Sequence, residues 1–228
     1  MSYDGASVNQ VLRGPQRLAH AYRRRAYGCF GLAILSVVVP LVLVHLQGRS
    51  LPFWVYCFAL AACRWWWLEA AELLIAGRKA DSGAAGEEVV ASVLRNLPAG
   101  WNVIRNLETC NLGDIDFLVT SPDNRAFAIE AKAHYGMVRS NGSALLRVID
   151  GREALFEKDF LAQTMREAIT ARESLKLQFV VPVLVFSRAK VTFFDRKIRG
   201  VFVLQADELI DFLLSPKRQD APTRSAAN

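Results

Sequence analysis

The stretch GDIDFLVTSPDNRAFAIEAK, residues 113–132, carries the strongest fold signal in the chain. Two runs rich in β-prone residues, 114–120 and 126–132, flank Ser121, Pro122, Asp123 and Asn124, residue types that preset turn angles or hydrogen-bond their own backbone. A β-hairpin is predicted. With Asp123 at its turn centre, Phe117 faces Ile129 and Asp116 faces Glu130. Strand alternation then groups Ile115, Phe117 and Val119 with Phe127, Ile129 and Ala131 on an apolar face. Asp116, Leu118 and Thr120 share the other face with Ala126, Ala128, Glu130 and Lys132. Two carboxylates would thus have Cβ atoms about 5 Å apart, with an ammonium two residues along.

Like charges opposite one another destabilise a sheet unless something offsets them. A divalent cation would do so, and all-oxygen donors suit Mg²⁺ or Mn²⁺, which activate water and stabilise a phosphoryl transition state. Lys132 is then placed to orient or deprotonate that water, or to hold a phosphate oxygen. Glu87 adds a third acid: on a helix starting at Ala84 it lies in line with Val90 and Leu94, so it leans towards the apolar face. An alternative is purely structural. In it Asp116 and Glu130 pair with Lys132 on a solvated sheet face, and Glu87 is an acid favoured in a first helical turn.

Outward from this hairpin, residues 84–97 predict an amphipathic helix and residues 101–107 a strand. Downstream, 144–149 predicts a strand, 158–177 a helix and 179–186 a buried strand, followed by a strand at 201–205 and a helix at 207–214. The core order is αβββαβ, a mixed sheet flanked by helices.

Upstream, residues 26–46 contain no Asp, Glu, Lys or Arg, enough to cross a bilayer core of about 30 Å at about 1.5 Å per residue. A second apolar run, 51–68 with an extension to about 76, is broken only by Arg64, which precedes Trp65, Trp66 and Trp67. An arginine near the end of a span can snorkel beside an indole belt. Two antiparallel spans are expected. Basic residues flank the pair at both outer ends, so residues 1–25 and everything after the second span are expected in the cytoplasm, as in a bacterial inner-membrane protein. Residues 77–83 read as a linker and 215–228 as a disordered tail.

The formal charge of +6 suggests nucleic-acid binding, but its location argues otherwise. Residues 1–80 hold nine Lys/Arg against three Asp/Glu, and residues 81–228 hold nineteen of each. Net charge therefore gives the C-terminal part no polyanion preference. Cysteine spacing supports neither a disulfide framework nor a zinc site.

Gly83-x-x-Gly86-Glu87, then Gly113-Asp114-Ile115-Asp116, then Ile129-Glu130-Ala131-Lys132 with Gly136 following, together resemble the nuclease-related domain (NERD) family of the PD-(D/E)XK nuclease-like superfamily. The resemblance covers residues 84–214 and implies a restriction-endonuclease-like αβββαβ fold. It further implies Glu87, Asp116 and Glu130 as metal-facing acids, Lys132 as the catalytic lysine, and Gln163 as the glutamine often found in the following helix. Phe117 departs from the histidine common at that position, and Asp114 falls at a variable turn position.

The expected function is a membrane-anchored, Mg²⁺- or Mn²⁺-dependent phosphodiesterase acting on DNA in preference to RNA, with no small-molecule cofactor. The alternatives are an inactive nucleic-acid-binding or regulatory module and a membrane scaffold. Arg188, Lys190, Arg196, Lys197 and Arg199, opposed only by Asp195, form a candidate phosphate-contacting loop; solvated surface charge is the simpler account.

Overall fold

The computed structural model describes residues 14–48, 50–109 and 113–215. Expectations for residues 1–13, for Arg49, for Cys110 and for the tail beyond Ser215 lie outside these. The chain divides into two compact units that meet at Ala84 and Ala85.

The first unit holds helix α1 (Gly14–Gln47) and the greater part of helix α2 (Phe53–Leu94). Their contacts run antiparallel: Phe30 meets Trp67 at a 5.1 Å ring separation, Tyr22 and Ala19 lie against Gly77, and Arg23 pairs with Asp81. Leu18–Gln47 is long and apolar enough to cross a membrane, and almost none of its apolar window is buried. Among the described residues it is the one helix to meet that criterion. The run expected as a second span is helical, but Arg64 and the consecutive tryptophans dilute its apolar character. The expected linker at 77–83 is corrected, since these residues continue α2 without a break.

The second unit is mixed α/β. Its main sheet has the order β1-β2-β3-β7-β10-β9, from β1 (Asn102–Thr109), β2 (Gly113–Thr120), β3 (Ala126–Lys132), β7 (Val180–Phe186), β9 (Lys197–Ile198) and β10 (Val201–Gln205). β1, β2 and β3 are antiparallel, whereas β3, β7 and β10 run parallel. Helix α3 (Phe160–Ser174) makes the crossover from β3 to β7, and Asp159 caps it by accepting from the Ala162 N–H at 3.0 Å. A 3-10 turn (Ala206–Glu208) and helix α4 (Leu209–Leu214) close the unit. A second sheet, absent from the sequence reading except for one strand, has the order β6-β5-β4-β8, from β4 (Met137–Ser140), β5 (Leu145–Ile149), β6 (Arg152–Leu155) and β8 (Lys190–Val191).

Both faces of the main sheet are buried. On one, Phe117, Val119, Phe127, Ile129 and alternate residues of β7 and β10 pack against Val90, Ala91 and Leu94 of α2 and Leu209, Phe212 and Leu213 of α4. On the other, Leu118, Ala126 and Ala128 pack against Ala168 and Ala171 of α3. The hairpin has the expected register, with Phe117 paired to Ile129 and Thr120 to Ala126. Its turn is closed by Ser121 N–H to Arg125 O and Asn124 N–H to Ser121 O, with Asn124 at φ 64°.

One face assignment is corrected: Ile115 packs with Leu118, Ala126 and Ala128, on the face opposite Phe117 and Val119. Alternation slips at Asp116. Across β1, the residue between Arg105 (paired with Phe117) and Leu107 (paired with Ile115) is Asn106, which takes a left-handed φ of 47°. Asp114, expected in a turn, is an exposed residue of β2.

Candidate active site

The β2–β3 ladder stops at Phe117–Ile129, one residue short of the two acids. There the Asp116 side chain replaces a strand partner, its Oδ2 accepting from the Ala131 N–H at 2.8 Å. A charged acceptor on a backbone donor makes a strong hydrogen bond and fixes the carboxyl at the strand end. Glu130, on β3, is 3% exposed and is reached from α3. Its Oε1 accepts from Lys132 Nζ and, at 2.8 Å, from Gln163 Nε2 of α3. Lys132 is largely buried, with Nζ 5.0 Å from the Phe160 ring centroid.

Glu87 reaches the group from α2 because Gly86 lets that helix approach the end of β3. A Cβ on Gly86 would lie 2.5 Å from Ala133 Cβ and 2.9 Å from Ser187 Oγ, so any side chain there would push the helix away. Ser187 itself ties β7 to β3 by donating its N–H to Lys132 O at 3.0 Å.

The electrostatics are those of acids taken out of water beside one another. Burial pushes Glu87 above the ordinary carboxyl range, Arg105 opposes this, and Glu130 adds to it. Asp116 is raised well above its ordinary value by burial first and then by Glu130 and Glu87, against the Ala131 hydrogen bond and Lys132. The solvated face of the structural alternative is corrected, since Glu130 is buried, while its pairing of Glu130 with Lys132 is present.

A further acid was missed by the sequence reading. Glu167, 6% exposed on α3, has its Oε1 2.8 Å from Gln163 Nε2, which thus bridges it to Glu130. Burial and Glu130 push its pKa up to about 8. Glu167 stands four residues after Gln163 on the same helix face, a spacing that by itself does not distinguish it from a solvated residue. Arg105 was also missed; it pairs with Glu88 at 3.3 Å, lies over the Phe117 ring and lowers Glu87. His134, packed among Phe156, Phe160 and Phe186, is held below the usual imidazole range by burial and by Arg147 and Lys132.

The predicted residues Glu87, Asp116, Glu130, Lys132 and Gln163 thus come together. Among the described residues, no three of His, Cys, Asp and Glu are positioned to ligate one ion. Asp116 Oδ2 is turned to Ala131, and Glu130 Oε1 to Lys132 and Gln163. In donor chemistry the group does fit a hard cation, since its acids offer only carboxylate oxygens.

Of the five basic residues of the expected phosphate loop, two are in ion pairs. Arg196 pairs with Glu208 at 2.5 Å and Arg199 with Asp159 at 2.7 Å. Lys197 lies over the Phe202 ring, Lys190 is exposed on β8, and Arg188 lies over the ring of Tyr135.

No curated protein and no solved structure matches the chain. Residues 82–187, which contain Glu87, Asp116, Glu130, Lys132, Gln163 and Glu167, match the family model of the nuclease-related domain, and this match supports the NERD family for that segment.

Proposed function

We propose that the protein is a membrane-anchored nuclease that hydrolyses phosphodiester bonds in DNA, and RNA less readily, with Mg²⁺ or Mn²⁺ held by Glu87, Asp116 and Glu130. The observation that carries this reading is the convergence of those acids with Lys132 at one end of β3, inside the segment that matches the nuclease-related domain.

A bound divalent cation would supply charge stabilisation at phosphorus and a water of lowered pKa. The remaining work falls to the chain. Asp116 is fixed by the Ala131 N–H, and Gln163 holds the Glu130 carboxylate from α3. Lys132 Nζ, now on Glu130, is the cation within reach of a phosphate oxygen once that carboxylate takes another partner. Hydrolysis joins the water oxygen to phosphorus and breaks one ester bond, and the buried surroundings strengthen every charge interaction involved.

For the anchor, the proposal includes two spans with both outer ends in the cytoplasm. It is supported by the antiparallel contacts of α1 and α2 and by the exposed Trp54, Phe58, Leu60 and Trp65.

A second reading is favoured by two observations: Lys132 pairs with Glu130, and among the described residues no three acids are placed to ligate one ion. On that reading the site is structural and the domain binds or regulates without cutting. Incubating the full chain in detergent with plasmid and linear DNA separates the two. The nuclease reading expects cleavage with Mg²⁺ or Mn²⁺, none with EDTA, and a loss of at least about a hundredfold for Lys132→Ala. Metal-independent activity, or equal activity of the variant, would contradict it.

A further inference from the structure

Tyr135 lies three residues beyond Lys132, so their Cα atoms are at most about 11 Å apart. Its ring is exposed, at 55% for the residue, yet its backbone is held on two sides. Arg147 Nε donates to Tyr135 O at 3.3 Å, and the Lys190 N–H donates to the neighbouring Gly136 O at 2.9 Å. Gly136 itself has φ 89°, and a Cβ there would run into Val148 O, so only glycine allows this turn. Arg188 follows Ser187, the residue bonded to Lys132 O, and is exposed. Its guanidinium lies 5.0 Å from the Tyr135 ring centroid and donates to Tyr135 Oη. Among the described residues no carboxylate pairs with it. Four of its five N–H donors therefore remain for a ligand.

An exposed aromatic ring on a fixed backbone, with an arginine lacking an acidic partner over it, is a combination that takes a nucleobase and a phosphate together. Bases inside a duplex have both faces covered, so a ring in this position can stack only on an unpaired or terminal base. We propose that Tyr135 and Arg188 bind a nucleotide next to the scissile phosphate, Tyr135 by stacking on its base and Arg188 through its phosphate, and that the substrate is DNA with an unpaired nucleotide beside the cut. This rests on the nuclease reading for the location of the cut, while the binding it describes can be measured without cleavage.

The test uses the full chain in detergent with EDTA present, and fluorescence anisotropy of labelled oligothymidine and of a blunt duplex. Tyr135→Ala should weaken oligothymidine binding about tenfold and duplex binding little, while Tyr135→Phe keeps the parent affinity. Arg188→Ala should weaken binding and lower the salt dependence by about one phosphate contact. Thermal unfolding establishes that each variant is folded. Parent-like oligothymidine affinity of Tyr135→Ala, equal losses on single strand and duplex, or a parent that binds neither would overturn the proposal. If Tyr135-dependent binding occurs without metal-dependent cleavage, the proposal stands and the nuclease reading falls. Cleavage by a parent whose Tyr135→Ala variant binds normally is the converse.

Discussion

Glu167 holds its proton up to about pH 8 in the folded protein because it is buried beside Glu130, whereas an ordinary glutamate releases it near 4.5. A carboxyl whose folded pKa is raised contributes stability that is fully present below the lower value and lost as pH rises through the higher one. Between about 4.5 and about 8, then, Glu167 makes the metal-free protein progressively less stable. Glu167→Gln should flatten that decline and raise the unfolding midpoint at pH 8 by a few degrees over the parent, read by thermal unfolding in EDTA across this range. A parent and variant with parallel pH profiles would mean that Glu167 is ionised in the fold. At this scale most of the site was legible: turn chemistry at Ser121 to Asn124 fixed the register as far as Phe117 and Ile129, the residues next to the two acids. Glu167 was not, because a lone glutamate on a helix has the spacing of any solvated residue until the sheet beneath it is known.

Among the elements, the contact between α2 and the end of β3 determines where Glu87 sits. Gly86→Ala would bring a methyl group to 2.5 Å from Ala133 Cβ, and the helix must shift to admit it. The expected result is a loss of about 1–3 kcal/mol in stability. On the nuclease reading DNA cleavage should fall by more than tenfold, since Glu87 moves with the helix; unfolding and plasmid nicking measured together check both. An unchanged unfolding midpoint would show that the helix has room at Gly86. β1 to β3, α3, β7, β10 and α4 were readable in the sequence, α3 by its helical spacing and β7 as an apolar run buried along its whole length. β8 and β9 have two residues each, and β4 and β6 four, too few for any period to register. The supposed linker failed for a different reason. Gly77 and Gly83 suggested a break, but Ala76, Ala80, Ala84 and Ala85 keep helix propensity high enough to carry α2 through.

At the scale of the whole molecule, the net positive charge lies in residues 1–80, where it flanks the apolar helices, and residues 81–228 are balanced. If this asymmetry orients two spans, a membrane-impermeant thiol reagent should label Ser50→Cys from outside intact cells but not Lys79→Cys, both in a cysteine-free background. Labelling of position 79 from outside would reverse the assignment. The central claim, however, is that Glu87, Asp116 and Glu130 form a cation site rather than a structural ion-pair network. Metal-dependent thermal stability of the full chain in detergent tests it most directly. Mg²⁺ or Mn²⁺ should raise the unfolding midpoint of the parent, because the ion binds only the folded state, and should have no effect on Asp116→Asn. In EDTA the variant should be as stable as the parent or more so, having lost one repelling charge. A parent indifferent to metal, together with an Asp116→Asn protein destabilised by several kcal/mol in EDTA, would contradict the account.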